Sequence, residues 1–248
     1  MNRHLLRLTS FIVVLAVWQT ASYLSDPIFV PRLQDIVGAF LNLIASGELI
    51  SALGYSLSRM MIGYVLALVT SIVLGLVMGY SRRVEYSIDY LVGGLYVAPL
   101  SALIPILILW FGIGDLVRIF YIFIFIVFDM TIIVFNGARN MPPEHLEVAR
   151  SFNMSQSQIL WKVFLPAEVP FLFTAIRIGL GRAVRGMVVA ELLIAVTGLG
   201  DLIMTAASAF KMAEVLGIVL VLIILGATLS EGLKKLHQVL IPWARLEA

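Results

Sequence analysis

Long apolar runs alternate along the chain with short polar segments. A helix that crosses a bilayer needs about 20 mainly apolar residues. Six stretches have this character, and each predicts one span: residues 8–24, 57–79, 88–111, 117–136, 167–196 and 215–236. The pattern therefore predicts an all-α integral membrane protein whose six-span bundle forms a single transmembrane domain over residues 1–248.

The polar stretch from Gly137 to Pro166 has the pattern of two short helices. Pro142 and Pro143 suit the first turn of a helix, where missing amide donors leave nothing unpaired. Glu144 and Glu147 then fall near its positive N-terminal end. Asn153 tolerates a left-handed backbone and predicts the end of this helix. Three residues at three-residue spacing predict its apolar face: Leu146, Ala149 and Phe152.

A second short helix is predicted directly after the first. Ser155 and Gln158 have the spacing of a capping box, and Pro166 marks the predicted end of this helix. Its apolar stripe is formed by Leu160, Val163 and Phe164. Two capped helices between membrane spans indicate a docking element; the alternative is an ordinary amphipathic loop.

The same stretch resembles the EAA loop of inner-membrane permease subunits of ABC importers that depend on a binding protein. The chain keeps the family pattern at Glu147, Ala149, Val163, Leu165 and Pro166, and it departs from the usual residue at Val148 and Asn153. The resemblance implies that this loop is the coupling helix that docks on a cytoplasmic ATPase. The docking residues expected from it are Glu144, Glu147, Ala149, Asn153, Leu165 and Pro166.

Further segments are similar to the branch that imports nitrate, sulfonates, taurine and bicarbonate: Ser58-Arg59, residues 110–114, residues 190–192 and residues 198–200. The resemblance implies a type I ABC importer permease for a small anionic solute. Its expected partners are a second permease copy in a homodimer, two ATPases that bind ATP and Mg²⁺, and an external solute-binding protein. This chain itself is expected to be no enzyme and to hold no cofactor.

The distribution of lysine and arginine predicts the orientation. Ten of the seventeen lie in one set of loops and termini, three in the other set and four within predicted spans. Positive charge is retained on the cytoplasmic side, so both termini and the loop 137–166 are predicted to be cytoplasmic, in a bacterial plasma membrane. Arg32, Arg118 and Lys211 are assigned to the outer side. A cleaved signal peptide is the alternative for the first run, which continues to Leu24 without a clear cleavage site.

Smaller features predict how the spans bend and meet. Pro99 and Pro105 should bend or interrupt the third span. Gly75 and Gly79 form a small-x-x-x-small pair that allows close approach of another helix. Two similar outer turns, residues 112–115 and 198–201, place an Asp where it could cap the next helix. Residues 31–45 predict an amphipathic helix at the outer interface.

Composition excludes several kinds of chemistry. Hydrophobic residues make up 61% of the chain and charged residues 13%, with a mean hydropathy of +1.03. There is no cysteine, and the three histidines are scattered, so no metal site and no thiol chemistry is predicted. No catalytic constellation, nucleotide-binding motif or nucleic-acid-binding feature is present.

Ionisable residues inside predicted spans mark either a solute path or a buried charge network. Four are singled out: Asp129, Arg182, Arg185 and Glu191. At about 100° per residue, Arg182 and Arg185 share one face of the fifth span, whereas Glu191 points away from both. The sequence leaves two roles open for the arginines: contact with an anionic cargo, or pairing with a carboxylate such as Asp129.

Two other classes of function fit parts of the sequence. A secondary transporter driven by an ion gradient would use the intramembrane charges but would not need the loop 137–166. A membrane anchor for a partner complex would need neither the intramembrane arginines nor the paired prolines of the third span. The importer interpretation accounts for all three features.

Overall fold

The computed structural model describes residues 3–194 and 197–240, and every regular element within them is helical. This confirms the all-α prediction. A 3-10 turn, Leu100–Leu103, precedes α5, and a π turn, Leu160–Phe164, joins α8 to α9. In chain order the helices are α1 (Arg3–Leu24), α2 (Leu33–Ala45), α3 (Glu48–Tyr80), α4 (Arg82–Val97), α5 (Ile104–Phe111), α6 (Asp115–Arg139), α7 (Pro143–Ser151), α8 (Gln156–Ile159), α9 (Leu165–Ile194), α10 (Leu199–Ser208) and α11 (Met212–Leu240).

Four helical stretches among the described residues are long and apolar enough to cross a membrane. They are residues 48–80, 115–139, 156–194 and 212–235. The predicted third span is two helices, α4 and residues 100–111, that meet at an angle of 92° around Pro99. The predicted interruption is thereby confirmed, and the bent pair would make a fifth span. The first apolar run forms a shorter helix, so the count of six spans stays a prediction.

The chain divides into two compact units. The first contains residues 1–56 and 195–225, and the second contains residues 57–194 and 226–248. Both the polar loop and the charges of the fourth and fifth predicted spans belong to the second unit.

In the second unit, α3 and α6 approach closely through glycine. A Cβ atom added at Gly75 would lie 2.6 Å from the Cβ of Val134, and one at Gly79 would lie 2.2 Å from the Cβ of Ala138. Any side chain at these positions would overlap α6, so the small-x-x-x-small prediction is confirmed. Tyr64 adds a polar link, because its hydroxyl donates to the carbonyl of Ile176 on α9 at 2.8 Å.

Helices α6 and α9 lie antiparallel, again with small residues at the contact. A Cβ atom at Gly179 would be 2.4 Å from the Sδ of Met130, and one at Gly186 would be 2.9 Å from Phe125. The buried face of α9 repeats this pattern with Ala175, Gly179, Ala183, Gly186 and Ala190. Small residues let helix backbones approach where lipid provides no hydrophobic driving force.

In the first unit, polar contacts join α1 to the segment that leads into α2. The indole nitrogen of Trp18 donates to the carbonyl of Pro31 at 3.1 Å, and the amide of Leu33 donates to the side-chain oxygen of Gln19 at 3.2 Å. These bonds fix the start of α2, which confirms the predicted helix after the first apolar run.

The two outer turns differ from their prediction. Asp115 and Asp201 lie in the first turns of α6 and α10, but the N-cap residues of these helices are Gly114 and Gly198, which have no capping side chain. Asp115 instead accepts hydrogen bonds from Nε and Nη2 of Arg59 at 3.0 and 2.8 Å. At the other turn, the amide of Leu199 donates to the hydroxyl of Ser56 at 3.0 Å. A serine of α3 thus accepts the first amide of α10, while Asp115 forms an ion pair with an arginine of α3.

We expect Gly79→Leu to prevent stable folding, because the added side chain meets Ala138 on a packed backbone. Overpacking of a close contact costs about 1–3 kcal/mol or more. Gly226→Leu is the matched control, since no atom lies within 4 Å of an added Cβ there. The amount of protein in the membrane and the Tm in detergent should fall for the first variant alone. Equal behaviour of the two variants would contradict the α3–α6 contact.

Candidate functional site

The first helix of the polar loop, α7, ends in the left-handed conformation predicted for Asn153, which has φ 52°. The amide of Asn153 donates to the carbonyl of Arg150 at 2.9 Å, and the amide of Met154 donates to the carbonyl of Ala149 at 3.2 Å. This pair of bonds is a Schellman motif, which satisfies carbonyls that the helix leaves open. The chain can therefore reverse within two residues and begin the next helix.

The second helix begins with the predicted capping box. The amide of Gln158 donates to the hydroxyl of Ser155 at 3.3 Å, and the amide of Ser155 donates to the side-chain oxygen of Gln158 at 2.8 Å. The predicted end at Pro166 is wrong. The helix widens to a π turn, in which the amide of Leu165 donates to the carbonyl of Leu160, and then continues into α9. A π turn directly before Pro166 accommodates the ring and its missing donor.

Burial divides the loop into an inner and an outer surface. Ala149, Ile159 and Phe164 are buried. The ring of Phe164 meets Tyr80 of α3 edge-on at 5.8 Å, and the hydroxyl of Tyr80 donates to Gln156 at 3.2 Å. The second helix is thus anchored on the end of α3 by both apolar and polar contacts.

The outer surface of the loop combines apolar and acidic side chains. Phe152 is 76% exposed, although the three-residue spacing predicts it on the inner face. The reason is its position after the last helical residue, where the chain turns away from the helix axis. We call five of these exposed residues the loop surface: Glu144, Glu147, Val148, Phe152 and Trp161. The basic residues Arg150 and Lys162 are also exposed on the loop.

The other predicted docking residues do not lie on the loop surface as a group. Ala149 is 2% exposed and faces the interior of the second unit. Asn153 shapes the turn between the two helices, whereas Leu165 and Pro166 begin α9. These residues position the loop surface, and Glu144 and Glu147 are part of it.

Two buried acidic residues lie near the ends of the loop. Glu85, buried at the start of α4, pairs with Arg139 at the end of α6. Glu168 is 1% exposed in the first turn of α9, and its Oε2 has no hydrogen-bond partner among the described residues. A Cβ added at Gly137 would lie 2.6 Å from that oxygen. The sequence analysis missed Glu168, although a carboxylate two residues after Pro166 at the edge of an apolar run was its signal.

Within the spans, the structure pairs Asp129 of α6 with Arg182 of α9 at 2.5 Å. Asp129 is almost buried, with 8% of its side chain exposed, while 37% of the Arg182 side chain is exposed. Arg185 is exposed on α9, and Glu191 is buried. The structure thus brings two of the four predicted intramembrane residues together and places the other two elsewhere on α9.

A further buried charge lies near the start of α6. Arg118, which the sequence analysis assigns to an outer loop, is 1% exposed within the helix. Its Nη1 lies 3.7 Å from Asp115, the same carboxylate that binds Arg59. The assignment failed because the predicted span began only one residue earlier, at 117, and the three-residue spacing from Asp115 was the missed signal.

The family model and the similar proteins described here agree on one family for this chain. The model for the "Binding-protein-dependent transport system inner membrane component" family matches residues 71–245. A putative ABC transporter permease protein of Methanocaldococcus jannaschii is 31% identical, over 94% of this chain and 90% of that protein. The taurine transport system permease protein TauC of Escherichia coli is 31% identical, over 93% of this chain and 86% of its own length.

Two further matches extend the comparison. The putative aliphatic sulfonates transport permease protein SsuC of Bacillus subtilis is 32% identical, over 93% of this chain and 84% of that protein. The crystal structure of an amino acid ABC transporter aligns with a TM-score of 0.68 at 15% identity, covering 81% of this chain and 98% of that one. At this identity the structural match shows the fold alone.

We expect Arg182→Gln to destabilise the protein, because it leaves the buried carboxylate of Asp129 without its partner. An unsatisfied buried polar group costs about 1–3 kcal/mol. Adding Asp129→Asn should recover most of the loss, giving a coupling free energy of at least about 1 kcal/mol. The measurement is the Tm of the purified protein in detergent.

The matched control for this cycle is Arg185→Gln. Arg185 is exposed and has no ion pair among the described residues, so its replacement should leave the Tm unchanged. If Arg182→Gln were as stable as the control, or if the two changes were additive, the Asp129–Arg182 pair would not contribute to stability.

Proposed function

The chain belongs to the family of binding-protein-dependent transport system inner membrane components, and from this premise we propose that it imports a small anionic solute. The observation that carries the proposal is similarity over 93% of the chain to permeases named for taurine and for aliphatic sulfonates. These solutes carry a sulfonate group. Arginines within the fifth predicted span suit such cargo, because guanidinium groups bind oxyanions with two parallel hydrogen bonds.

The proposed transporter contains two copies of this chain around one pathway. Two cytoplasmic ATPases bind ATP and Mg²⁺ and hydrolyse the nucleotide, and an external binding protein delivers the solute. This chain carries out no covalent step. It lies in the plasma membrane with both termini in the cytoplasm, as the distribution of lysine and arginine favours.

We assign the contact with the ATPase to the loop surface. Phe152 and Trp161 are large apolar side chains at high exposure, which is the composition of an interface anchor. Glu144 and Glu147 add negative charge to this surface, and the exposed Arg150 and Lys162 add positive charge near it in sequence. The complementary groove would therefore offer groups of both signs. Ala149 supports this surface from beneath, and Asn153 fixes the angle between its two helices.

The connection between loop and membrane supplies the coupling. Residues 156–194 form one helical path, so a displacement of the second loop helix moves α9 directly. Met130 and Phe125 of α6 fit against the glycines of α9, so a displacement of α9 is expected to be transmitted to α6 as well. Closure of the ATPases would in this way move the side chains that α9 presents within the membrane.

The direct test is uptake of taurine and of short alkanesulfonates into proteoliposomes that contain the permease with its ATPase and binding protein. We expect uptake to require ATP on the side of the vesicle membrane that carries the ATPases. Uptake should persist when ion gradients are collapsed. Uptake that follows an imposed ion gradient without ATP would instead establish the secondary transporter. Uptake of neutral solutes alone would contradict the anionic cargo.

Replacing Phe152 with Asp should release the ATPase, because a charged side chain would enter an apolar contact. Truncation of a central aromatic anchor typically costs 2 kcal/mol or more, roughly a thirtyfold loss of affinity. Phe152→Leu is the matched control, since it keeps an apolar side chain. Co-purification and solute-stimulated ATP hydrolysis are the measurements, and full retention of both by Phe152→Asp would refute this docking surface.

A further inference from the structure

One face of α9 is uncovered and carries positive charge in the middle of the span. Arg177 and Arg185 are exposed, and neither has an ion pair or a side-chain hydrogen bond among the described residues. Gly181 lies between them, and no atom lies within 4 Å of a Cβ added there. We call these three residues the arginine strip.

Helix geometry places the arginine strip on a single line. A step of four residues turns a helix by about 40° beyond a full turn, so both arginines lie within about 40° of Gly181. Each is about 6 Å from Gly181 along the axis, and the two are about 12 Å apart. Gly181 is close to the midpoint of α9, which runs from Leu165 to Ile194.

This face cannot remain in contact with lipid. On insertion scales an arginine at the centre of a spanning helix costs about 2.5–3.5 kcal/mol, and here two share one face. Each arginine is about 13 Å or more from the nearer end of α9. An arginine side chain is too short to extend its charged group over this distance to the membrane–water interface. The strip therefore requires water, an anion or an oppositely charged partner.

The neighbouring arginine shows what a structural role looks like in the same helix. Arg182 lies about 100° from Gly181 and reaches across to Asp129, which neutralises it. The small residues at 179, 183 and 186 face α6 on the far side of the helix. Arg177 and Arg185 take part in neither contact, so the packing of the second unit does not account for them.

We propose that the arginine strip is the anion-binding step of the translocation pathway, with Arg177 and Arg185 holding a sulfonate or a similar oxyanion one after the other. The inference rests on the proposed function. The two arginines are about 12 Å apart along the helix axis, which is too far for one small anion to contact both guanidinium groups at once. The anion is therefore bound first by one arginine and then by the other. Several weak sites favour passage over trapping. Gly181 leaves the space through which the anion passes between them.

The absence of cysteine from the chain makes the strip directly testable. A thiol introduced by Gly181→Cys can be modified in the purified permease by two water-soluble methanethiosulfonate reagents, the anionic sulfonatoethyl and the cationic trimethylammonioethyl compound. Each rate is normalised to the rate of the same reagent with free 2-mercaptoethanol. Two unit charges at about 6 Å would speed the anionic reagent about tenfold and slow the cationic one about tenfold even in bulk water, so we expect a preference of roughly a hundredfold before screening by salt.

Controls separate the strip from general accessibility. Ala183→Cys places the thiol at a position that is 0% exposed, about 200° around the helix, and should not react. Adding Arg177→Gln and Arg185→Gln to Gly181→Cys should remove the anionic preference, whereas changing both arginines to Lys should keep it. If Gly181→Cys does not accumulate, Arg185→Cys gives a thiol on the same line with Arg177 still present.

Two outcomes would overturn the proposal. The first is a thiol at 181 that reacts with neither reagent, which would show a dry or covered face. The second is a preference that the glutamine changes do not alter. Uptake measured in parallel distinguishes this inference from the proposed function. ATP-driven uptake together with an unreactive thiol would refute only the role of the arginine strip. Anion-preferring modification without ATP-driven uptake would leave the anion-binding role of the strip intact and refute the importer.

Discussion

The close approach of helix backbones at small residues is the constraint on which the second unit depends. Two apolar helices gain little hydrophobic free energy by meeting in lipid, so dispersion contacts and a few polar pairs must hold them. Glycines 75 and 79 bring α3 against α6, and glycines 179 and 186 bring α9 against it from another direction. The Asp129–Arg182 pair and the bond from Tyr64 to the backbone of α9 need this proximity, since both join side chains or backbone of different helices at hydrogen-bond distance.

Ionisable residues in the spans follow two different physical rules. Asp129 and Arg118 are buried and lie beside an opposite charge, which is how a protein lowers the cost of removing a charge from water. Arg177 and Arg185 are exposed and have no such neighbour within the described chain. A charge of the second kind has no function in packing, so its presence in an apolar helix indicates contact with something outside this chain.

The sequence predicted those features that depend on neighbouring residues. The left-handed Asn153, the capping box of Ser155 and the break at Pro99 each follow from local backbone chemistry, and the structure confirms all three. The all-helical fold followed in the same way from the length of the apolar runs. Gly75 and Gly79 were found because their spacing on one helix face is itself a local pattern.

Predictions failed where a partner distant in sequence, or a backbone geometry without a sequence pattern, decided the structure. Asp115 had the position of a helix cap, but Arg59 lies 56 residues away and offers a charged donor that competes for the carboxylate. Phe152 fitted an apolar stripe, yet it lies just past the end of α7, where helical spacing no longer decides which way a side chain points. Pro166 was interpreted as an end because a π turn, which allows the helix to continue, has no recognisable sequence signal.

That π turn also determines how the loop can act on the membrane region. Phe164, its last residue, packs against Tyr80, so the turn is the point about which the continuous helix from the loop to the far end of α9 would tilt. Gly181 is 17 residues farther along, or about 25 Å. A tilt of about 10° at the turn would then move it by about 4 Å, comparable to the spacing of one helical turn. A small displacement at the loop surface is therefore sufficient to shift the middle of α9 by several ångströms, about 4 Å for this tilt.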